Sequence, residues 1–199
     1  MNRRNALKKL GLGTSIVVAT PALISFLQSC SSETTTWQPV FLTVEEGYVL
    51  KAIADVILPK TDTPSASELN APQFIDKYLY EVSELDEQKN IKEAFGKLII
   101  IIKSDYNENI NKVSEEQYKM LLDKHMLLDK RMLLKEPEEL TDKPMTISDL
   151  LNMIKWMSIN AYLTTEVIGE TVLAYDPIPG ELKGCISLEE ATGGKAWSI

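Results

Sequence analysis

The stretch Ile91-Lys92-Glu93-Ala94-Phe95-Gly96-Lys97-Leu98-Ile99-Ile100-Ile101-Ile102 decides the fold class. Ile91, Ala94, Phe95, Leu98, Ile99 and Ile102 recur at steps of three and four, the spacing of one buried face of an α-helix. Ile99 to Ile102 are consecutive, so this helix is expected to be enclosed on more than one side at its end. No strand-like alternation of any length occurs elsewhere in the sequence. The class is all-α.

Working back from that helix, Phe74, Ile75, Tyr78, Leu79 and Val82 form the apolar face of a second one. Asn70 is placed to cap it, and Pro72 falls in its first turn, where a missing N–H costs nothing. Residues 59–70 hold two prolines and several Ser, Thr and Asp side chains that compete for backbone hydrogen bonds, so they read as a loop. Before the loop, Thr43 and Glu46 form a capping box. The helix they open carries Val49, Ile53, Val56 and Ile57 and stops before Pro59.

Working forward, Ser114 and Gln117 form a second capping box. The helix behind it contains a short repeat: Met-Leu-Leu starts at Met120, Met126 and Met132. Six residues turn a helix by about 240°, so each cluster falls on a different face. A small tandem duplication explains this pattern, and it predicts a helix crossing between neighbours or a break near Lys130. Residues 136–144 are a charged linker bounded by prolines. Thr146 and Asp149 then cap a long last helix with Leu150, Leu151, Ile154, Met157, Ala161, Ile168 and Val172. Gly169 within it costs about 1 kcal/mol against Ala, which points to a close neighbour.

Pro177 and Pro179 end that pattern. Beyond them Gly180, Gly184, Gly193 and Gly194 alternate with apolar groups, among them Tyr175, Ile178, Cys185 and Trp197. Such a segment lies against something, either its own domain or another subunit. The expected architecture is therefore about five helices with an irregular Pro/Gly-containing C-terminal arm.

The 199 residues suit one domain, with ordinary apolar (44%) and charged (25%) fractions. The N-terminus is different. Arg3, Arg4, Lys8 and Lys9 precede a mild apolar run from Leu10 to Leu27, the pattern of a signal peptide. Gly11, Gly13, Thr20 and Pro21 make the run a poor permanent membrane span. Arg3-Arg4 resembles a twin-arginine export signal, departing from it at Asn2 and Ala6. Leu27-Gln28-Ser29-Cys30 resembles a lipobox with Gln28 as a loose fit, which implies Cys30 as the lipidated residue, with plain secretion or an uncleaved anchor as the alternatives. Residues 1–29 are read as the signal, 30–42 as a tether and 43–199 as the domain.

The formal charge is −8, and loss of the signal removes four basic residues and no acidic one. So acidic a surface repels nucleic-acid phosphates and anionic lipid, leaving membrane attachment to a lipid on Cys30.

Few residues suit catalysis. His125 is the single histidine, without a motif partner, and reads as an ordinary solvated or half-buried side chain. One His and one mature Cys cannot build a typical zinc or haem site. Gly11-Leu-Gly13 begins like a dinucleotide loop but lies in the signal and lacks the final Gly. Asp55, Asp62, Asp76, Glu166 and Glu170 include combinations that could pair in a cleft, but solvated surface is the favoured reading in so acidic a chain. Trp156 reads as core, and Trp37 and Trp197 as anchors in the arms. Cys185 is either a buried thiol or half of an intermolecular bridge in an oxidising compartment.

Two stretches carry a family resemblance. The first runs Ala54-Asp55-Val56-Ile57-Leu58-Pro59, then Thr63-Pro64, then Ala71-Pro72-Gln73-Phe74-Ile75-Asp76. The second is Tyr175-Asp176-Pro177-Ile178-Pro179-Gly180, then Gly184-Cys185, then Gly193-Gly194-Lys195-Ala196-Trp197. Together they resemble the gluconate 2-dehydrogenase subunit 3 family, small non-catalytic subunits of exported flavoprotein dehydrogenases. The resemblance implies no cofactor in this chain, FAD in a large partner that oxidises a sugar or sugar acid, and a cytochrome c subunit as electron acceptor. It implies that the twin-arginine signal carries the folded partner across, and that the complex sits on the periplasmic side of a bacterial membrane. The partner interface is then expected at Tyr175, Pro177, Ile178, Pro179, Gly180, Gly184, Cys185 and Trp197. A stand-alone lipoprotein binding a ligand or protein, and an enzyme using the acidic residues, are the competing readings.

The N-terminal reading has a direct consequence. Cys30→Ala is expected to move the protein from the membrane fraction to the soluble one with its thermal unfolding unchanged. A variant that stays with membranes places the anchor elsewhere.

Overall fold

The computed structural model describes residues 37–126, 144–176, 178, 180 and 184–198. These residues form seven α-helices and a 3-10 turn, with no named strand among them. The helices are α1 (Val44–Ile57), α2 (Ala71–Glu81), α3 (Leu85–Asp105), α4 (Glu115–His125), α5 (Ile147–Leu163), α6 (Glu166–Thr171) and α7 (Leu188–Thr192), with the 3-10 turn at Ile110–Lys112. The all-α class holds, and the five long helices are those the periodicity picks out.

Three helices start as their sequences dictate. Thr43 with Glu46, Ser114 with Gln117 and Thr146 with Asp149 each close a reciprocal capping box. Asn70 behaves differently. It sits in the left-handed region at φ 57° and makes no side-chain cap, a conformation that Asn tolerates better than most residues. Its backbone N–H closes a turn on the Ser67 carbonyl, so the chain swings into α2 through the backbone alone.

The centre of the fold is α5, which packs against α1, α2, α3 and α4. Leu150, Leu151, Ile154, Ser158 and Ala161 form its buried arc. They meet Leu50 and Ile53 of α1, Ile75 and Leu79 of α2, and Phe95, Leu98 and Ile102 of α3 in a common set of fully buried side chains. Ile100 departs from expectation. It is exposed, because α3 lies against its neighbours with one face only.

The last helix is two, not one. Thr164 and Thr165 turn their hydroxyls back onto the carbonyls of Asn160, Ala161 and Tyr162, competing with the backbone ladder. Thr165 is then extended, and α6 starts afresh. The Met-Leu-Leu helix ends at His125 with Met126 as its cap, and the remaining repeats and residues 136–143 lie outside the described residues.

Asp76 does more than a surface carboxylate. It is 1% exposed, and its two oxygens accept the backbone N–H groups of Val40 at 2.6 Å, Phe41 at 3.1 Å and Leu42 at 2.8 Å. The segment is fastened again next door, where Lys92 lies 4.6 Å from the Phe41 ring centroid and 3.1 Å from the buried Glu46 carboxylate. The compact unit accordingly begins at Gln38, so residues 40–42 belong to the domain instead of the tether.

Hydrogen bonds to a buried charge contribute roughly 1.5–3 kcal/mol each, and the loss of one partner is felt in full. Asp76→Asn keeps the shape but turns an amide N–H₂ toward backbone donors. The expected outcome in urea denaturation is a loss of about 2–4 kcal/mol, from one charge-assisted bond and one donor clash. A change under about 0.5 kcal/mol, the usual range for surface positions, contradicts the clamp.

Candidate functional site

With α5 buried along one arc, its opposite side is left uncovered. Met153, Met157, Asn160 and Thr164 lie there and face Phe74 and Tyr78 of α2 across a groove of about 310 Å³. Ser83 and Glu87 close one end of it. A second groove of about 370 Å³, lined by Leu69, Asn70, Gln73 and Lys77, shares Phe74, Ala161 and Thr164 with the first. The two make one trough between antiparallel α2 and α5.

The walls are apolar and open. Phe74 and Tyr78 stack at 6.2 Å between centroids and are exposed at 55% and 42%. Val82 and Leu85, on either side of Ser83, are exposed at 59% and 83%. Trp156 was expected in the core, yet it is 57% exposed; it lines neither groove and stands one helical turn before Asn160, which does. Helical geometry gives the reason: position 156 lies about 180° from the centre of the buried arc of α5. The same geometry leaves Phe74, Tyr78 and Val82 of the expected face of α2 outside, while Ile75 and Leu79 are buried as expected and are joined by Ala71, Pro72 and Asp76. Exposed aromatic and aliphatic side chains grouped in this way make the trough the candidate binding surface of the described residues.

The trough ends are fixed by polar contacts. Gln88 donates from its side-chain amide to the carbonyls of Leu79, Tyr80 and Ser83 at 3.0, 3.1 and 3.0 Å, satisfying the last turn of α2. At the other end Tyr162 donates to the Pro64 carbonyl at 2.9 Å, and Ser67 N–H to Asp55 at 2.9 Å, which hold the 59–70 loop. The trough is therefore a preformed feature.

The C-terminal arm returns to its own domain at its far end. Ala174 N–H bonds the Ala196 carbonyl at 2.8 Å, and Ser198 N–H bonds the Ala174 carbonyl at 2.9 Å. The neighbour that Gly169 implies is Ser198: a Cβ on Gly169 would stand 2.9 Å from the Ser198 hydroxyl. Between these ties α7 was not expected, although Ser187 capping the Glu190 N–H is a readable helix start. Of the expected interface residues, Tyr175, Ile178, Gly180, Gly184, Cys185 and Trp197 are all exposed. The Cys185 thiol is not buried by this chain. Pro177, Pro179, Arg3, Arg4 and Cys30 lie outside the described residues.

No reactive centre assembles from the candidate carboxylates. Asp76 is occupied by the clamp, and Asp55 pairs with Lys51 at 2.9 Å. Glu166 and Glu170 are exposed on α6, and none of the five lines the trough. Burial raises the Tyr118 phenol above its usual range, but it too is remote from the trough lining. His125 is half-buried at the end of α4. Among the described residues no group of three or more His, Cys, Asp or Glu could hold a metal ion. Nor is any described helix long and apolar enough to cross a membrane.

The gluconate 2-dehydrogenase subunit 3 family model matches residues 44–180. The chain belongs to this family. No curated protein and no solved structure matches it. Membership supports a small accessory subunit of a dehydrogenase complex. Within the matched region, the residues that carry the sequence resemblance serve the fold: Asp55 and Asp76 fasten loops, and Phe74 forms a wall of the trough.

Proposed function

We propose that this chain is the non-catalytic small subunit of a membrane-anchored, FAD-dependent sugar or sugar-acid dehydrogenase, and that it supports export, maturation and anchoring of the flavoprotein subunit. The observation that carries the reading is the family match across residues 44–180. FAD resides in the large subunit, and a cytochrome c subunit takes its electrons. Arg3 and Arg4 direct the folded complex through the twin-arginine route, and lipid on Cys30 holds it on the periplasmic side of the membrane.

What favours a binding role over a catalytic one is where the side chains are spent. The carboxylates of the core fasten backbone, while large apolar groups stand in the open along the trough and the arm. The exposed Tyr175, Ile178, Gly180, Gly184, Cys185 and Trp197 of the arm form a second surface for the large subunit. Cys185 is accessible there for a disulfide with the partner.

The test is purification of the chain alone and together with a large flavoprotein subunit sought among the neighbouring genes. Alone, it is expected to show no flavin or haem absorbance and no dye reduction with sugars. Together, the two are expected to co-purify with flavin and sugar-dependent dye reduction, and to reach the periplasm only when Arg3-Arg4 is intact. Stoichiometric flavin in the isolated chain overturns the reading in favour of an enzyme. A chain with no flavoprotein partner is a stand-alone lipoprotein.

A further inference from the structure

The geometry points to a specific occupant for the trough: an amphipathic helix of the large dehydrogenase subunit, with basic residues at the end that meets the α2–α3 connection. This rests on the reading of the chain as an accessory subunit, and goes beyond it by naming the surface and the chemistry of what fills it.

Length comes first. The α5 wall runs from Met153 to the cap residue Thr164, and at the helical rise per residue it is about 16 Å long. That is room for roughly three turns of a helix, so one strip of three apolar anchors at i, i+4 and i+7 fits along it. The wall chemistry agrees. Met153 and Met157 are flexible and polarisable, suited to packing around inserted side chains. Phe74 and Tyr78 in the lining supply the large contact area that anchors an interface, and the exposed Trp156 one turn before Asn160 extends it. An extended strand is the poorer fit, because both walls are helices and offer no sheet edge to pair with.

Charge gives the direction. Glu84, Asp86 and Glu87 are all exposed beside the Ser83 end of the trough. The cations near them are otherwise placed: Lys77 is 3.9 Å from Glu81, and Lys89 projects from the opposite side of α3 to Glu87. Lys155 lies 5.8 Å from the Trp156 ring centroid. The Ser83 end therefore favours Lys or Arg on the incoming helix, and its N-terminal dipole end as well. A second copy of this chain is a poor occupant, because its own surface is acidic.

The experiment uses the full chain co-expressed with the large flavoprotein subunit that the proposed function calls for. A photo-crosslinking phenylalanine derivative replaces Phe74, Trp156 or, as an independent probe of the arm, Tyr175; all three positions are exposed. Adducts from positions 74 and 156 are expected on one helical peptide of the flavoprotein with Lys or Arg at one end. The triple variant E84K/D86K/E87K is expected to weaken co-purification about tenfold at low salt, converging with the parent at high salt, with its melting temperature unchanged. Adducts at 74 and 156 with a second copy, or with residues 127–143 of the same chain, overturn the proposal by giving the trough a different occupant. Capture of the flavoprotein at 175 alone overturns it while leaving the accessory-subunit reading intact. No capture at any position, with no co-purification, removes both.

Discussion

Asp76 sets the rotation of α2, and much of the surface follows from that. A carboxylate that accepts three consecutive backbone N–H groups must face the 40–42 segment, because any roll of the helix strands buried donors and a buried charge together. Phe74 stands two positions earlier, about 200° round the helix, so holding Asp76 inward turns Phe74 outward. Tyr78 follows on the same side. The clamp thus links the start of the domain to the exposed aromatic wall. The trough is a consequence of how the core closes.

The second wall has a matching origin. Helices α1 to α4 pack on α5 and cover the arc carrying Leu150, Leu151, Ile154 and Ala161. No described helix covers the arc carrying Met153, Trp156, Met157 and Asn160. Large side chains there stand exposed or half-exposed among the described residues, and grouped apolar surface of this kind favours association. That division suits a chain whose family is an accessory subunit: a core closed by its own helices, and one apolar surface held open.

Local signals were legible in the sequence and long-range ones were not. The three capping boxes involve partners three residues apart, so the sequence alone identifies them. The break at Thr164–Thr165 was missed because the apolar period continues through it to Ile168, while the hydroxyls that end the helix act on carbonyls at i−3 and i−4. The clamp spans more than thirty residues, and a lone Asp gives no hint of it. Trp156 was misplaced because an aromatic residue in a helical pattern reads as core until its angle to the buried arc is known. Measuring that angle against Leu150, Leu151, Ile154 and Ala161 would have placed it outside. Of the two readings of the arm, the return to its own domain holds at residues 196–198, which meet Ala174 and Gly169, while Tyr175, Ile178 and Cys185 are exposed.

Amide hydrogen exchange on the free chain and on the chain bound to its flavoprotein tests the central claim most directly. Docking in the trough is expected to slow exchange in residues 74–85 and 153–165, with the clamped amides of 40–42 protected equally in both states. Protection gained only in other helices, with 74–85 and 153–165 unchanged, would contradict the account.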